Sequence, residues 1–555
     1  MDQDTLQLLL SHDDDGSPFL EDGLPDSTED ELDKPTINKQ DISSFWEESG
    51  DPDDLEQQRW GVIAPDGPEG DRLLALIRPL IEARAEAQDA DVKIYRPPAG
   101  LSGSDAALWR KTHFDMGGAF SSELPRYQVI LGDLDGVSLG LQQSQGSDGF
   151  VGRLSFRNDQ GYEAYVEKVL RWEKARAEAE GNVKLFTVHD GTAATMIGYR
   201  ALVKPGLDLL RGKGYDTADL GDPNDPSPDE FFEAVRSPEP TVLFSVSHGA
   251  GAPRGGWKTY QDQRERQGAM SFGRAGKITG SDINEEPFLP GGVWFMLACY
   301  GAGTPNSSAY RHWLEKLSEV GQFSGAARSV LASLPAGDHP PFIAALPQAV
   351  LANPNGPLAV IGHIDLAWTY SFEERDTGKA VSRPSKFMQT LRTALEGARV
   401  GSSYRELVKY LNGIHYELSE LYDEAAQRGE ADVRDKARSG HLWMLRQDLS
   451  GYILLGDPAT KLPASRRRKA KTDKSKTAGV ASILSKAPEV KPGAPAPRGA
   501  EERSIPIETL EKAIGHMLAG SALRDIAGRF GIDPAVLQER FDIYTKAGRA
   551  ALDRK

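Results

Sequence analysis

The residues best equipped for chemistry are a histidine and the sole cysteine, each set just past an apolar run. Thr241-Val-Leu-Phe-Ser-Val-Ser leads into His248-Gly249, and Val293-Trp-Phe-Met-Leu-Ala leads into Cys299, with Gly301 two residues on. A free thiol titrates near 8.5 and is mostly protonated at neutral pH, and a neighbouring imidazole raises its thiolate fraction. The same imidazole can protonate a departing amine. Gly249 has no side chain to shield its N–H, which together with the Cys299 N–H would form an oxyanion hole. Taken singly, a strand-end cysteine is ordinarily a small buried hydrophobe and a lone histidine ordinarily structural. Found together at the ends of two buried strands, they point to a His/Cys dyad that cleaves peptide bonds through a thioester.

Residues 51 positions apart meet only if a fold brings them together. The apolar runs are those of buried strands, and alternating strands and helices build a mostly parallel sheet covered on both faces. Strands are predicted over 60–64, 92–95 and 127–131, with a helix from about Gly70 to Ile81 and another over 161–175. A second series has strands over 184–188, 241–247, 293–298 and 358–361. Helices are predicted between them over 193–211, 229–235 and 309–317, and after them over 386–400 and 404–427. In such a sheet the adjacent strand C-termini share one edge, where α/β folds build their sites. Two α/β lobes are therefore expected, 57–180 and a catalytic 181–462.

Composition narrows the function classes. One cysteine in 555 residues excludes an internal disulfide framework and favours a reducing compartment, so a cytoplasmic location is expected. No apolar run is long enough to span a membrane, and the acidic N-terminus is unlike a secretory signal. There is no phosphate-binding loop, no His-Glu-x-x-His and no cysteine cluster, so neither cofactor nor metal is expected. The net charge of −17 is unevenly spread: residues 1–60 hold 19 acidic and 3 basic side chains, residues 463–555 hold 11 and 19. The first 56 residues are expected to be a disordered acidic tail, too poor in apolar groups to offset the ordering entropy. Two apolar islands interrupt it, Leu6–Leu10 and Ile42–Trp46. A solubilising tail is the plain reading, and a pseudo-substrate or inhibitory arm the sharper one. Residues 249–290, Gly-rich and dotted with Arg254, Arg264, Arg266 and Lys277, are expected to form a long surface loop or a mobile one that shapes the cleft.

An apolar strand followed by His-Gly, then one followed by Ala-Cys, resembles the caspase-like (clan CD) cysteine peptidases. Within them the likeness is to gingipain-type (C25) and CHAT-like peptidases. Val129-Ile-Leu-Gly-Asp133, Phe150-Val-Gly-Arg153 and Ile453-Leu-Leu-Gly-Asp457-Pro458 extend the resemblance over residues 60–462. It implies a caspase-like α/β fold, a protein substrate, and Trp368 in a specificity pocket. A preference for basic side chains would need an acid at the pocket floor, and Asp148, Asp190 and Asp365 compete for that place. His189 and His363 are taken as supporting residues.

Residues 463–503 form a basic Pro/Ala/Lys linker, with a reach of roughly 35 Å if flexible. Residues 504–555 read as three helices with helix-turn-helix spacing around Gly531 and Asp533-Pro534. Acids at Asp533, Glu539 and Asp542 would repel phosphate, so this small all-α domain is expected to bind either DNA, aided by Arg466–Lys471, or a partner protein. The expected whole is a cytoplasmic cysteine endopeptidase in a bacterial signalling or defence pathway. The alternative is a non-enzymatic DNA-tethered or adaptor regulator on a peptidase-like fold.

Overall fold

The computed structural model describes residues 5–25, 28, 50–101, 103–114, 123–175, 180–320, 324–335, 337–376, 379–382, 384–429, 436–464 and 537. One compact unit spans residues 1–468 and a second spans 469–555. Of the second only Leu537 is described, so the predicted linker beyond Ala464 and the rest of the three-helix module fall outside the described residues.

Fourteen strands are needed to follow the site. They are β1 (Leu10–His12), β2 (Trp60–Ile63), β3 (Lys93–Tyr95), β4 (Tyr127–Leu131), β5 (Phe150–Leu154), β6 (Asn182–Thr187) and β7 (Thr217–Leu220). Then come β8 (Thr241–Val246), β9 (His248–Gly251), β10 (Met270–Ser271), β11 (Lys277–Ile278), β12 (Val293–Leu297), β13 (Ala359–His363) and β14 (Tyr452–Gly456). Ten of them form one sheet in the order β3-β2-β4-β5-β14-β13-β12-β8-β6-β7. Neighbours run parallel except at one seam, where β13 and β14 are antiparallel, with His363 opposite Tyr452. The expected lobes are thus two halves of a continuous sheet. The last strand, β14, crosses back to complete the N-terminal half beside β5.

Strand phase decides which residues face which layer. Along β12, Val293, Phe295, Leu297 and then Cys299 join one buried cluster, while Trp294, Met296 and Ala298 join the other. This period of two places the cysteine on the same face as Phe295. Because β8, β12 and β13 are parallel neighbours, His248, Cys299 and Asp365 all emerge at one edge of the sheet.

Helix boundaries moved where proline intervenes. The first predicted helix is two, Pro68–Leu76 and Arg78–Gln88, broken at Ile77 just before Pro79. The 193–211 stretch is helix Ala193–Gly198, a wide turn Tyr199–Val203, and helix Lys204–Gly212, with Pro205 unable to donate its backbone bond.

Two larger expectations fail. The N-terminal 56 residues are not uniformly a disordered tail: Leu6, Leu8, Leu9 and Leu10 are each at most 2% exposed and belong to the main core. Four leucines in five positions bury enough surface to order a short strand, which averaging over the acidic flanks conceals. Nor is 249–290 a simple surface loop. It holds β9, β10, β11 and the helix Tyr260–Arg266, and β9 to β11 join β1 in a small sheet of order β11-β10-β9-β1.

Candidate active site

His248 opens β9, directly after β8 leaves the main sheet, and Ser247 N–H is tied to Leu297 O at 3.2 Å. The imidazole is fully buried. Its Nε2 lies 2.9 Å from the Thr192 hydroxyl, which donates onward to Asp190 Oδ1 at 2.8 Å. A hydroxyl whose proton is given to a carboxylate can only accept from the ring, so Nε2 carries the proton. Nδ1, without a hydrogen-bond partner among the described residues, is left as the basic nitrogen. Asp190 Oδ2 stands 3.6 Å from Nε2, and Thr195 Oγ1 adds a further bond to Oδ1 at 2.8 Å. Burial pushes the His248 pKa down, and the Asp190 charge opposes that fall.

Cys299 follows β12 at a sharp turn. Tyr300 has φ of 56°, a left-handed conformation that bulky residues seldom adopt away from functional sites. Ala367 N–H points at the sulfur, 3.1 Å away. Burial pushes the Cys299 thiol well above its ordinary range, and the Ala367 N–H works against that rise. Gly249 crosses so close to Cys299 that a Cβ there would meet the Cys299 carbonyl oxygen at 1.8 Å. Only glycine permits this approach, and it brings two backbone donors side by side. Gly249 N–H and Cys299 N–H converge on a single acceptor, the carbonyl oxygen of Leu9, at 2.9 and 3.2 Å.

The other sequence candidates fall in three places. Trp368 is buried in the same cluster as Cys299 and Leu9, with Trp313 5.6 Å away ring to ring, and it pairs with Leu8 in an antiparallel bridge. Asp365 sits at the same sheet edge, but its oxygens accept from Ala309 N–H and Leu366 N–H, each at 2.8 Å. Burial holds its pKa up at about 6. Asp148 is paired with Arg110, and Asp190 stands beside His248. His363 bonds to the Asp365 and Asp448 carbonyls, and His189 packs edge-on to Tyr199.

Sequence reasoning missed Thr192, Thr195 and Asp448. The threonines follow Asp190-Gly191 just after β6, a strand adjacent to β8, so the strand-end logic that found His248 had the signal to find them. Asp448 left no such signal. It lies in the helix Lys436–Ser450, and its carboxylate accepts from Trp368 N–H, Ser371 N–H and the Ser371 hydroxyl, holding the 368–371 turn. Among the described residues no cluster of three His, Cys, Asp or Glu side chains is arranged to hold a metal, and no helix is long and apolar enough to cross a membrane.

No family profile and no curated protein matches the chain. Among solved structures, one described as a protease is similar over 73% of this chain and 78% of its own, at 12% identity and TM-score 0.41. The Arg-specific cysteine proteinase gingipain R is similar over the same shares, at 12% identity and TM-score 0.37. The separase–securin complex of Saccharomyces cerevisiae is similar over 60% of this chain and 16% of that one, at 8% identity and TM-score 0.27.

Proposed function

We propose that the chain is a cysteine endopeptidase of the caspase-like kind, with Cys299 as nucleophile and His248 as general base and acid. The observation that carries this reading is the convergence of the Gly249 and Cys299 N–H groups on one peptide carbonyl beside the only cysteine. Donors so aimed stabilise the negative charge that develops when sulfur adds to a carbonyl carbon, and each is worth about 10²–10³ in rate.

The reaction proceeds in two halves. The Cys299 proton passes to His248 Nδ1, and the sulfur adds to the substrate carbonyl carbon. His248 then protonates the departing amine as the C–N bond breaks, leaving a thioester. Water, deprotonated by His248, hydrolyses the thioester to a carboxylic acid and restores the thiol. Asp190, acting through Thr192 and directly, stabilises the imidazolium formed midway and is a positioning residue. The presence of both His248 and Cys299 at one sheet edge favours an enzyme over a non-catalytic regulator. A cytoplasmic location enters this reading through the single cysteine, and a role in bacterial signalling or defence through analogy with an appended module on a caspase-like core.

The test is hydrolysis of a peptide library by the wild-type chain and by Cys299→Ala, each checked for fold by circular dichroism. Turnover confined to the wild type supports the reading. Measurable turnover that is equal in the variant overturns it.

A further inference from the structure

We infer that residues 6–12 lie in the cleft in the register of a substrate, with Leu9 before the bond to be cut, and that the site accordingly takes peptides with leucine at that position. The inference rests on the peptidase reading and names its substrate class.

The oxygen that fills the paired donors belongs to this chain itself, and its neighbours are held on both sides as a bound peptide would be. Upstream, Leu9 N–H donates to Ala367 O at 3.2 Å and Leu8 bridges Trp368 in antiparallel fashion. Downstream, β1 pairs in parallel with β9, Leu10 opposite Gly249, Ser11 opposite Ala250 and His12 opposite Gly251. The chain thus runs extended through the site, engaging one wall before the Leu9 carbonyl and the other after it. A segment packed there merely to fill space has no need to aim one carbonyl at two catalytic N–H groups.

The side-chain chemistry is apolar. Leu9 is fully buried in a cluster that includes Cys299, Tyr310, Trp313 and Trp368. Of the carboxylates at this edge, Asp365 and Asp448 already receive backbone N–H donors on each oxygen. Neither of these two is left open to a lysine or arginine side chain, and Asp190 faces the His248 ring at 3.6 Å. Beyond the cleft the segment is anchored by charge: Asp13 pairs with Arg266 at 2.6 Å and with Lys277, and Asp15 with Arg254 at 3.1 Å. The segment must therefore leave before another peptide can enter.

The lone cysteine makes the test direct. Iodoacetamide alkylation of Cys299 is timed in the full chain, in Leu9→Asp and in the milder Leu9→Ala, with folding monitored by circular dichroism. Alkylation at least tenfold faster in Leu9→Asp, and faster to a lesser degree in Leu9→Ala, supports occupancy. Equal rates in the folded chains overturn it while leaving the peptidase reading intact. Peptides varied at the residue before the scissile bond are then given to Leu9→Asp, or to Leu9→Ala should the aspartate prevent folding. Leucine preferred at least a hundredfold over arginine, lysine and aspartate supports the assignment, and preferred cleavage after a charged residue overturns it. Fast alkylation without hydrolysis of any peptide overturns the peptidase reading and the leucine preference with it.

Discussion

At His248 a fully buried ring is held by one hydroxyl and one carboxylate, and this arrangement fixes what each substitution should do. Cys299→Ala removes a single sulfur and opens only a small void, so the fold should persist while proteolysis disappears. Cys299→Ser should be almost as inert, because a hydroxyl is far harder to deprotonate than a thiol. His248→Ala should lower kcat by about 10²–10⁴, the usual worth of a general acid–base group. Asp190→Asn tests positioning through a pH profile. The Asp190 charge favours the imidazolium, opposing the burial that lowers the His248 pKa. Removing it therefore drops that pKa further, and the limb of the kcat/KM profile belonging to His248 should move to lower pH. A reduced rate with an unmoved limb would show that Asp190 only supports the loop. The sequence exposed His248, Cys299 and Gly249 because each stands at a strand end in a chemically distinctive pair. It did not separate Asp190 from Asp148 and Asp365, since three carboxylates look alike until their donors are known.

Among the elements, the strands were the more legible, because consecutive buried apolar residues leave few alternatives to a covered parallel sheet. Thr241–Val246 and Val293–Leu297 fall within a residue or so of their predicted ends. The N-terminal strand was misread for a reason of range. Its acids looked solvating because their partners, Arg254, Arg266 and Lys277, stand over two hundred positions away. Burying its four leucines contributes roughly 6–12 kcal/mol. Ordering the seven residues of 6–12 costs about 1–2 kcal/mol each in backbone entropy alone. With the two sums so close, the ion pairs of Asp13 have leverage over whether the strand stays. Its carboxylate is buried while Arg266 and Lys277 remain partly solvated, so Asp13→Ala leaves cations that water can satisfy. A loss of about 1.4 kcal/mol is tenfold in the open fraction. Asp13→Ala should accordingly speed Cys299 alkylation about tenfold, measured by mass spectrometry over time. An unchanged rate would mean that the leucines alone hold the strand.

At the scale of the whole molecule, the question is where the catalytic unit ends. The sequence put its end at residue 462, where the apolar pattern stops and the basic linker begins. Packing continues slightly further: Leu462 is buried, and Ala464 stands beside Gly181. The compact unit closes at Arg468. A chain ending there should keep all of the sheet, including β14, whose loss would open the seam against β13. It should hydrolyse a short peptide as fast as the full chain, because every residue assigned to chemistry lies within it. What should disappear is recruitment, which we assign to residues 469–555 on their charge and helical pattern alone. If duplex DNA is the target, binding by the full chain should weaken steeply with salt, since counterion release dominates contacts made by a basic, weakly selective surface. Reversing the charges of Lys469, Lys471, Lys474 and Lys476 should flatten that slope. Absence of binding at low salt would remove DNA and leave a partner protein. Loss of peptide hydrolysis on truncation would place part of the catalytic fold beyond Arg468, and the boundary drawn from packing would be wrong.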